Sequence, residues 1–156
     1  MELADYENAE KDVKAELERL TSEGLFTERE AKGVYVNAVE RFFGSDFYMR
    51  VKRSEDIRRE MQFLVMASDA GLSEKYGDMI APDGMLQGIC DCIFAEDDGY
   101  VLVDYKTDGF NDISELDKYA VQLELYKAAL DLLLPKPVKA CYIYSFKLSE
   151  GKELSL

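Results

Sequence analysis

The chain has no histidine and no tryptophan, and its 156 residues include only three cysteines and three prolines. Without histidine, a Ser-His-Asp triad, a Cys-His dyad, a histidine general base and a zinc site with an imidazole ligand are all impossible within it. Cys90, Cys92 and Cys141 are too few for a disulfide framework, and their odd number fits a reducing compartment, so a cytoplasmic setting is expected. Positive charge is scarce as well: 19 Lys and Arg stand against 32 Asp and Glu, a net charge of −13. Such a surface repels phosphate and speaks against free-standing electrostatic capture of nucleic acid. No apolar run reaches the length of a membrane span, so no membrane partner is expected, and the acidic first residues are unlike a targeting peptide. There is no internal repeat, no low-complexity tract and no Gly-x-x-x-x-Gly-Lys-Ser/Thr loop, hence no ATP site.

What is present suffices for one domain with a real core. Leu3, Tyr6, Val13, Leu17 and Leu20 recur at helical spacing and predict a helix over 3–20, stopped by Gly24. Thr27 opens a second helix with a capping box to Glu30; Ala31, Val34, Tyr35, Ala38, Val39 and Phe42 form its buried stripe and Gly44 ends it. Ser45 caps a short turn carrying Phe47, Tyr48 and Val51. From residue 59 the period becomes that of strands: 60–66, then a polar loop through Gly84, then 86–95 and 100–106 joined by the hairpin signal Glu96-Asp97-Asp98-Gly99. A loop over 107–112 leads to a helix over 113–133 with Leu116, Ala120, Leu123, Lys127 and Leu130 on one face. Pro135 and Pro137 end it, and 138–146 reads as a last strand. Helices, three strands, helix, strand imply an α/β (α+β) fold with a mixed sheet, a helical part over 1–58 and a core over 59–156 within one domain.

The chemistry concentrates in Gly88-Ile89-Cys90-Asp91 and Val103-Asp104-Tyr105-Lys106. Strand alternation puts Asp104 and Lys106 on one face, with Val103 and Tyr105 on the other. A turn centred on Asp97–Asp98 pairs Asp91 with Asp104, and one centred on Asp98–Gly99 pairs it with Lys106. The two registers differ by two residues, so either clusters all three charges on one face, whereas a three-residue loop with a bulge breaks that parity. Two acids and an amine on otherwise apolar strands admit two readings. One is a buried ion pair with Lys106. The other is an oxygen-ligand site for Mg²⁺ or Mn²⁺ that activates water and meets a phosphate, with Lys106 orienting or deprotonating that water.

This order of residues resembles the PD-(D/E)XK nuclease core, a restriction-endonuclease-like fold. The segments Gly88-Ile89-Cys90-Asp91-Cys92-Ile93-Phe94, Leu102-Val103-Asp104-Tyr105-Lys106-Thr107-Asp108, Tyr119, Gln122-Leu123 and Leu125-Tyr126 are similar to the C-terminal nuclease domain of RecB-like helicase–nuclease subunits of the AddA type. Arg59-Glu60-Met61-Gln62-Phe63 stands where such proteins carry Arg-Glu-x-Pro-Phe. The resemblance implies Asp91 and Asp104 as metal ligands, the Tyr105 carbonyl as another, and Lys106 as the catalytic lysine. It also implies that Gln122 and Tyr126, four apart and opposite the apolar stripe, border the site, contacting DNA or orienting the lysine; as a structural pair they would simply pack on the sheet. Glu60 would hydrogen-bond near the site or hold the strand edge.

The activity implied is Mg²⁺-dependent exonuclease hydrolysis of DNA in double-strand-break repair, within an ATP-dependent complex with a second, AddB-type (RexB-type) subunit. One departure stands out: the family's upstream histidine ligand is missing. The helix at 3–20 looks like the segment that follows the histidine-bearing one. The expectation is therefore an excised fragment with an incomplete metal site and little activity alone. The alternatives are an inert nuclease-like assembly module and a stand-alone phage- or CRISPR-type nuclease.

Weaker signals have plainer readings. Cys90 and Cys92 are expected on one strand face opposite Asp91, as core cysteines, since an iron–sulfur cluster needs a fourth thiolate. Arg50, Lys52, Arg53, Arg58 and Arg59 form the one basic concentration, read as a solvated connection rather than a DNA contact. Asp108, Asp112, Glu115 and Asp117 read as a solvated helix start.

Overall fold

The structure, a computed structural model, describes residues 4–77, 81 and 83–156. Leu3 of the first predicted helix, and positions 78–80 and 82 of the loop expected through Gly84, lie outside the described residues. The chain divides into two units, one ending at Lys52 and the other running from Arg53 to Leu156.

The first unit is helical, but its helices are shorter than the periodicity predicts. The expected 3–20 helix is two helices, α1 (Tyr6–Lys11) and α2 (Val13–Ser22). Asp12 separates them: its backbone is extended (ψ 100°) and its carboxylate accepts the amides of Lys14 and Ala15, as Asp5 accepts those of Glu7 and Asn8. A side chain that satisfies free N–H groups this well starts a new helix rather than continuing an old one. The second predicted helix is also broken, into α3 (Glu28–Gly33) and α4 (Val36–Phe43). Its capping box forms as expected, with Thr27 N–H donating to Glu30 Oε2 at 2.7 Å and Glu30 N–H to Thr27 Oγ1 at 3.2 Å. Gly33, Val34 and Tyr35 are all weak helix formers, and Val34 turns extended (ψ 123°). Tyr35, expected in the buried stripe, is therefore 77% exposed. α5 (Asp46–Arg53) follows. Phe42, Phe43 and Tyr48 cluster with ring centroids 4.9–5.6 Å apart.

The second unit is a five-stranded mixed sheet: β1 (Ile57–Met66), β2 (Met85–Glu96), β3 (Gly99–Lys106), β4 (Val138–Ser145) and β5 (Glu150–Leu154), side by side in that order. β1, β2 and β3 form an antiparallel meander, β3 and β4 are parallel, and β5 returns antiparallel. A short α6 (Leu72–Lys75) lies in the loop before β2. The parallel pair is joined across the sheet by a 3-10 turn over Ile113–Tyr119 and by α7 (Ala120–Leu133), where the sequence predicts one unbroken helix. A capping box between Asp112 and Glu115 opens that connection, so two of the acids read as merely solvated have a local structural task. β5 escapes the sequence reading because Glu150, Lys152 and Glu153 leave only Leu154 buried, as suits an edge strand.

Leu116, Leu123 and Leu130 are completely buried beneath the helix layer, with Ile93, Leu102 and Ile143 of the sheet. At the β2–β3 turn, a Cβ on Gly99 would stand 2.6 Å from the Pro137 carbonyl, so only glycine lets the hairpin sit against the entry to β4. Among the described residues no helix is long and apolar enough to cross a membrane.

Candidate active site

The β2–β3 turn is the two-residue Asp97–Asp98 form, since Glu96 pairs with Gly99 and Cys92 with Val103. Of the two registers open to the sequence, this one brings Asp91 level with Asp104. The ladder stops at Cys92 and Val103, however, and the strands part beyond it. Into the gap turns the Asp91 side chain, whose Oδ2 accepts the Tyr105 N–H at 2.7 Å in place of a β2 carbonyl. A strand residue directs its N–H and C=O to the same side, so the Tyr105 carbonyl faces the same gap.

Asp104 is 7% exposed. Its Oδ2 lies 2.7 Å from Lys106 Nζ, within ion-pair distance but outside hydrogen-bond angles, so this buried oxygen has no hydrogen bond. Burial pushes the Asp104 carboxyl above its ordinary value, and the neighbouring Asp91 adds to the push, while Lys106 pulls the other way without cancelling it. Burial alone would depress Lys106, but the Asp104 carboxylate outweighs it and holds the ammonium above its ordinary value. The Tyr119 ring covers Lys106, with the ammonium 4.3 Å from its centroid, and the Tyr119 hydroxyl donates to Asp108 Oδ2 at 3.3 Å. The sequence assigns Tyr119 no task of its own; its place in the series ahead of Gln122 and Tyr126 is the signal that points to it.

Asp91, Asp104, Tyr105 and Lys106 thus meet where β2 and β3 separate. Gln122 and Tyr126 do not join them through any hydrogen bond shown by the structure. Tyr126 corrects the expectation that it lies opposite the apolar stripe: it meets Phe63 edge-to-face at 4.9 Å and packs against the core. Helical geometry explains this, because three residues beyond Leu123 a side chain has come round to roughly 60° from it. Gly88 makes the seat. A Cβ there would stand 2.6 Å from Phe63 Cζ and 3.0 Å from Tyr126 Cζ, which accounts for a glycine three residues before Asp91. Gln122 is half-buried near the start of α7.

The cysteines need a second correction. Cys90 belongs to the core under α7, but Cys92 lies against Tyr105, so the two do not share a face. All three are free and buried, and burial pushes Cys90 and Cys141 to about 12. They are inert core residues at ordinary pH. Of the basic stretch, Arg58 grips Asp56 at 2.8 and 3.0 Å and Lys52 meets Glu10 at 2.5 Å, so much of its charge is neutralised locally.

Among the described residues no group of three or more His, Cys, Asp or Glu side chains could hold a metal ion. Two carboxylates and a backbone carbonyl are what the gap offers. They suit a hard cation such as Mg²⁺, which keeps several waters and takes one or two carboxylates plus phosphate oxygens. The burial of Asp104, with Lys106 as its one charged partner, and the repulsion between Asp91 and Asp104 are the features a cation would relieve.

Compared with known families, residues 2–154 match the PD-(D/E)XK nuclease superfamily. The chain belongs to that superfamily. Its match extends over both units. Among individual proteins, an ATP-dependent helicase/nuclease subunit of Clostridium kluyveri is 36% identical over 146 residues, covering 92% of this chain and 12% of that protein. Its counterpart in Alkaliphilus oremlandii is 32% identical over 149 residues, 94% of this chain, and that of Clostridium perfringens 35% over 153, again 92%. The chain spans 12% of the length of each of these relatives. The five-stranded mixed sheet is consistent with that fold, and the chain is a PD-(D/E)XK nuclease domain homologous to these helicase/nuclease proteins.

Proposed function

We propose that this PD-(D/E)XK domain hydrolyses phosphodiester bonds of DNA with Mg²⁺ or Mn²⁺, as the exonuclease part of an ATP-dependent helicase–nuclease. It would work with a second, AddB-type subunit in double-strand-break repair in the cytoplasm. The observation that carries the reading is Asp104: a carboxylate buried beside a second acid, with a single ion pair to Lys106 as its one charged partner, is costly in a purely structural core. Asp91, Asp104 and the Tyr105 carbonyl would hold the ion. When bound it would supply an acidified water and charge stabilisation at the phosphate.

The chain's own side chains do the rest. Lys106, fixed by Asp104 below and Tyr119 above, presents an ammonium at the mouth of the gap to orient the attacking water and bind a phosphate oxygen. Asp91 locks the Tyr105 backbone, which keeps that carbonyl facing the gap. Gln122, on the first turn of α7, borders the DNA, and Tyr126 anchors that helix to β1 and β2 through Phe63 and Gly88. With two carboxylates and no histidine in the chain, the ion is held weakly by this chain alone, and cleavage alone is slow.

Mn²⁺ titration followed by NMR tests the site, with cleavage of end-labelled linear single-stranded DNA as the second readout. Localised broadening at Asp91, Asp104 and Tyr105, and cleavage abolished in Asp104→Ala, are expected. Broadening elsewhere only, or cleavage that survives Asp104→Ala, overturns the proposal.

A further inference from the structure

Glu60 sits in the middle of β1, yet its backbone is left-handed, with φ 50°. Glycine adopts this region freely; a glutamate in a strand does so only at a cost. Its position is informative. β1 pairs with β2 at Arg59–Cys92 and again at Met61–Cys90, and the level between them, Glu60 with Asp91, is skipped. The register is the same on both sides, so each strand carries its irregularity at the same level.

The faces show what this does. On the Met61–Cys90 side of the skipped level Phe63, Val65 and Cys90 lie in the core under α7, with Met61 packed against it. On the Arg59–Cys92 side Ile93 lies in that same core, and its β1 partner Arg58 reaches the core residue Tyr100. An unbroken strand cannot turn Cys90 and Ile93 to the same face, because side chains alternate with period two. One residue in each strand is therefore taken out of the alternation. In β2 that frees Asp91, whose carboxylate turns into the gap and captures the Tyr105 N–H. Like a bulge, though without a change of register, such an irregularity beside a functional site re-aims a side chain.

We infer that the left-handed backbone of Glu60 is a positioning device: it lets β1 follow the break in β2, and so aims Asp91 at Tyr105. Its relevance to catalysis rests on the nuclease reading above, but the device itself does not. The agent is the backbone conformation, so the effect of substitution follows tolerance of positive φ and not charge.

The test uses the whole chain and reads hydrogen exchange of the Tyr105 amide by NMR without metal, followed by Mn²⁺ titration. Glu60→Gly and Glu60→Asn keep Tyr105 protected. Glu60→Val, whose β-branched side chain rejects this conformation, loses about tenfold or more of that protection, while core amides at Leu123 and Ile143 hold theirs. Glu60→Ala shows a smaller loss in the same direction and stands in if the valine variant does not fold. Unchanged Tyr105 protection in both Glu60→Ala and Glu60→Val overturns the inference. So does equal loss in Glu60→Gly, which would assign the effect to the side chain. Weaker Mn²⁺ binding should accompany loss of Tyr105 protection. If Mn²⁺ fails to localise in the unaltered chain while the Tyr105 order of variants holds, the nuclease reading falls and the positioning device stands.

Discussion

Glu16 in the helical unit and Asp104 in the sheet unit are both nearly sealed from solvent, at 3% and 7% exposure, and are handled in opposite ways. Glu16 accepts two bonds from the Arg19 guanidinium, at 2.7 and 2.9 Å, and a third from the Asp5 N–H at 2.7 Å. These hold its carboxyl below the ordinary value, Arg19 foremost. Asp104 has one ammonium, outside hydrogen-bond angles, and a second acid beside it, and its carboxyl is pushed up. A buried charge that serves the fold is surrounded by donors from its own neighbourhood, three and eleven residues away. A buried charge left wanting invites a ligand.

The sharpest way to break this contrast is to remove each acid. Asp104→Ala is expected to lower DNA cleavage by at least about 100-fold and to abolish localised Mn²⁺ broadening, while Glu16→Ala leaves both unchanged. Lys106→Ala should cost cleavage about 100-fold while Mn²⁺ still localises at Asp91, separating the lysine's task from that of the ligands. A melting experiment extends the comparison from charge to packing. Gly88→Ala forces a methyl onto Phe63 and Tyr126 and should destabilise the chain by about 2 kcal/mol, whereas Thr27→Ala, which removes a local cap in the helical unit, should cost about 1 kcal/mol.

The smallest effect is in pH dependence, and its sign differs between the two acids. Asp104 titrates above its unfolded value of 3.8, so the folded state holds its proton more firmly and stability is lost as pH rises through that window. Asp104→Asn should therefore melt higher than the parent near neutrality, with the gain vanishing below pH 3.8. Glu16 titrates below its unfolded value of 4.5, so its contribution is present above that pH and is lost as pH falls through the lowered value. Glu16→Gln should melt lower near neutrality and converge with the parent in acid. Slopes of the same sign in both variants would remove the distinction.

The contrast also explains what is legible in the residues. Caps and turns are local, so the Thr27–Glu30 capping box and a hairpin over Glu96–Gly99 can be read directly, although the choice between its two registers comes from the strand pairing. The interruptions at Asp12 and at Val34–Tyr35 escape the periodicity because the apolar spacing runs across them, although Asp12 as a cap and Gly33 as a breaker are visible signals. β5 escapes it because an edge strand with one buried residue carries almost no hydrophobic pattern.

The candidate site divides along the same line. The residue types Asp91, Asp104, Tyr105 and Lys106 and their separation by a hairpin are properties of the sequence, and they are enough to suggest which groups meet. Alternation along a strand is a local rule, however, and it holds only while the strand is regular. The skipped level at Glu60 and Asp91 separates Cys90 from Cys92 and swings Asp91 onto the Tyr105 amide. Tyr126 turns to the sheet because Gly88 and Phe63 leave room for its ring there. Sequence alone thus determined the acids, the lysine, the absent histidine and the coarse order of a helical part, three strands, a helix and a strand. Tertiary structure decided where each side chain points, because that depends on a break shared by two strands and on space left by residues distant in the chain.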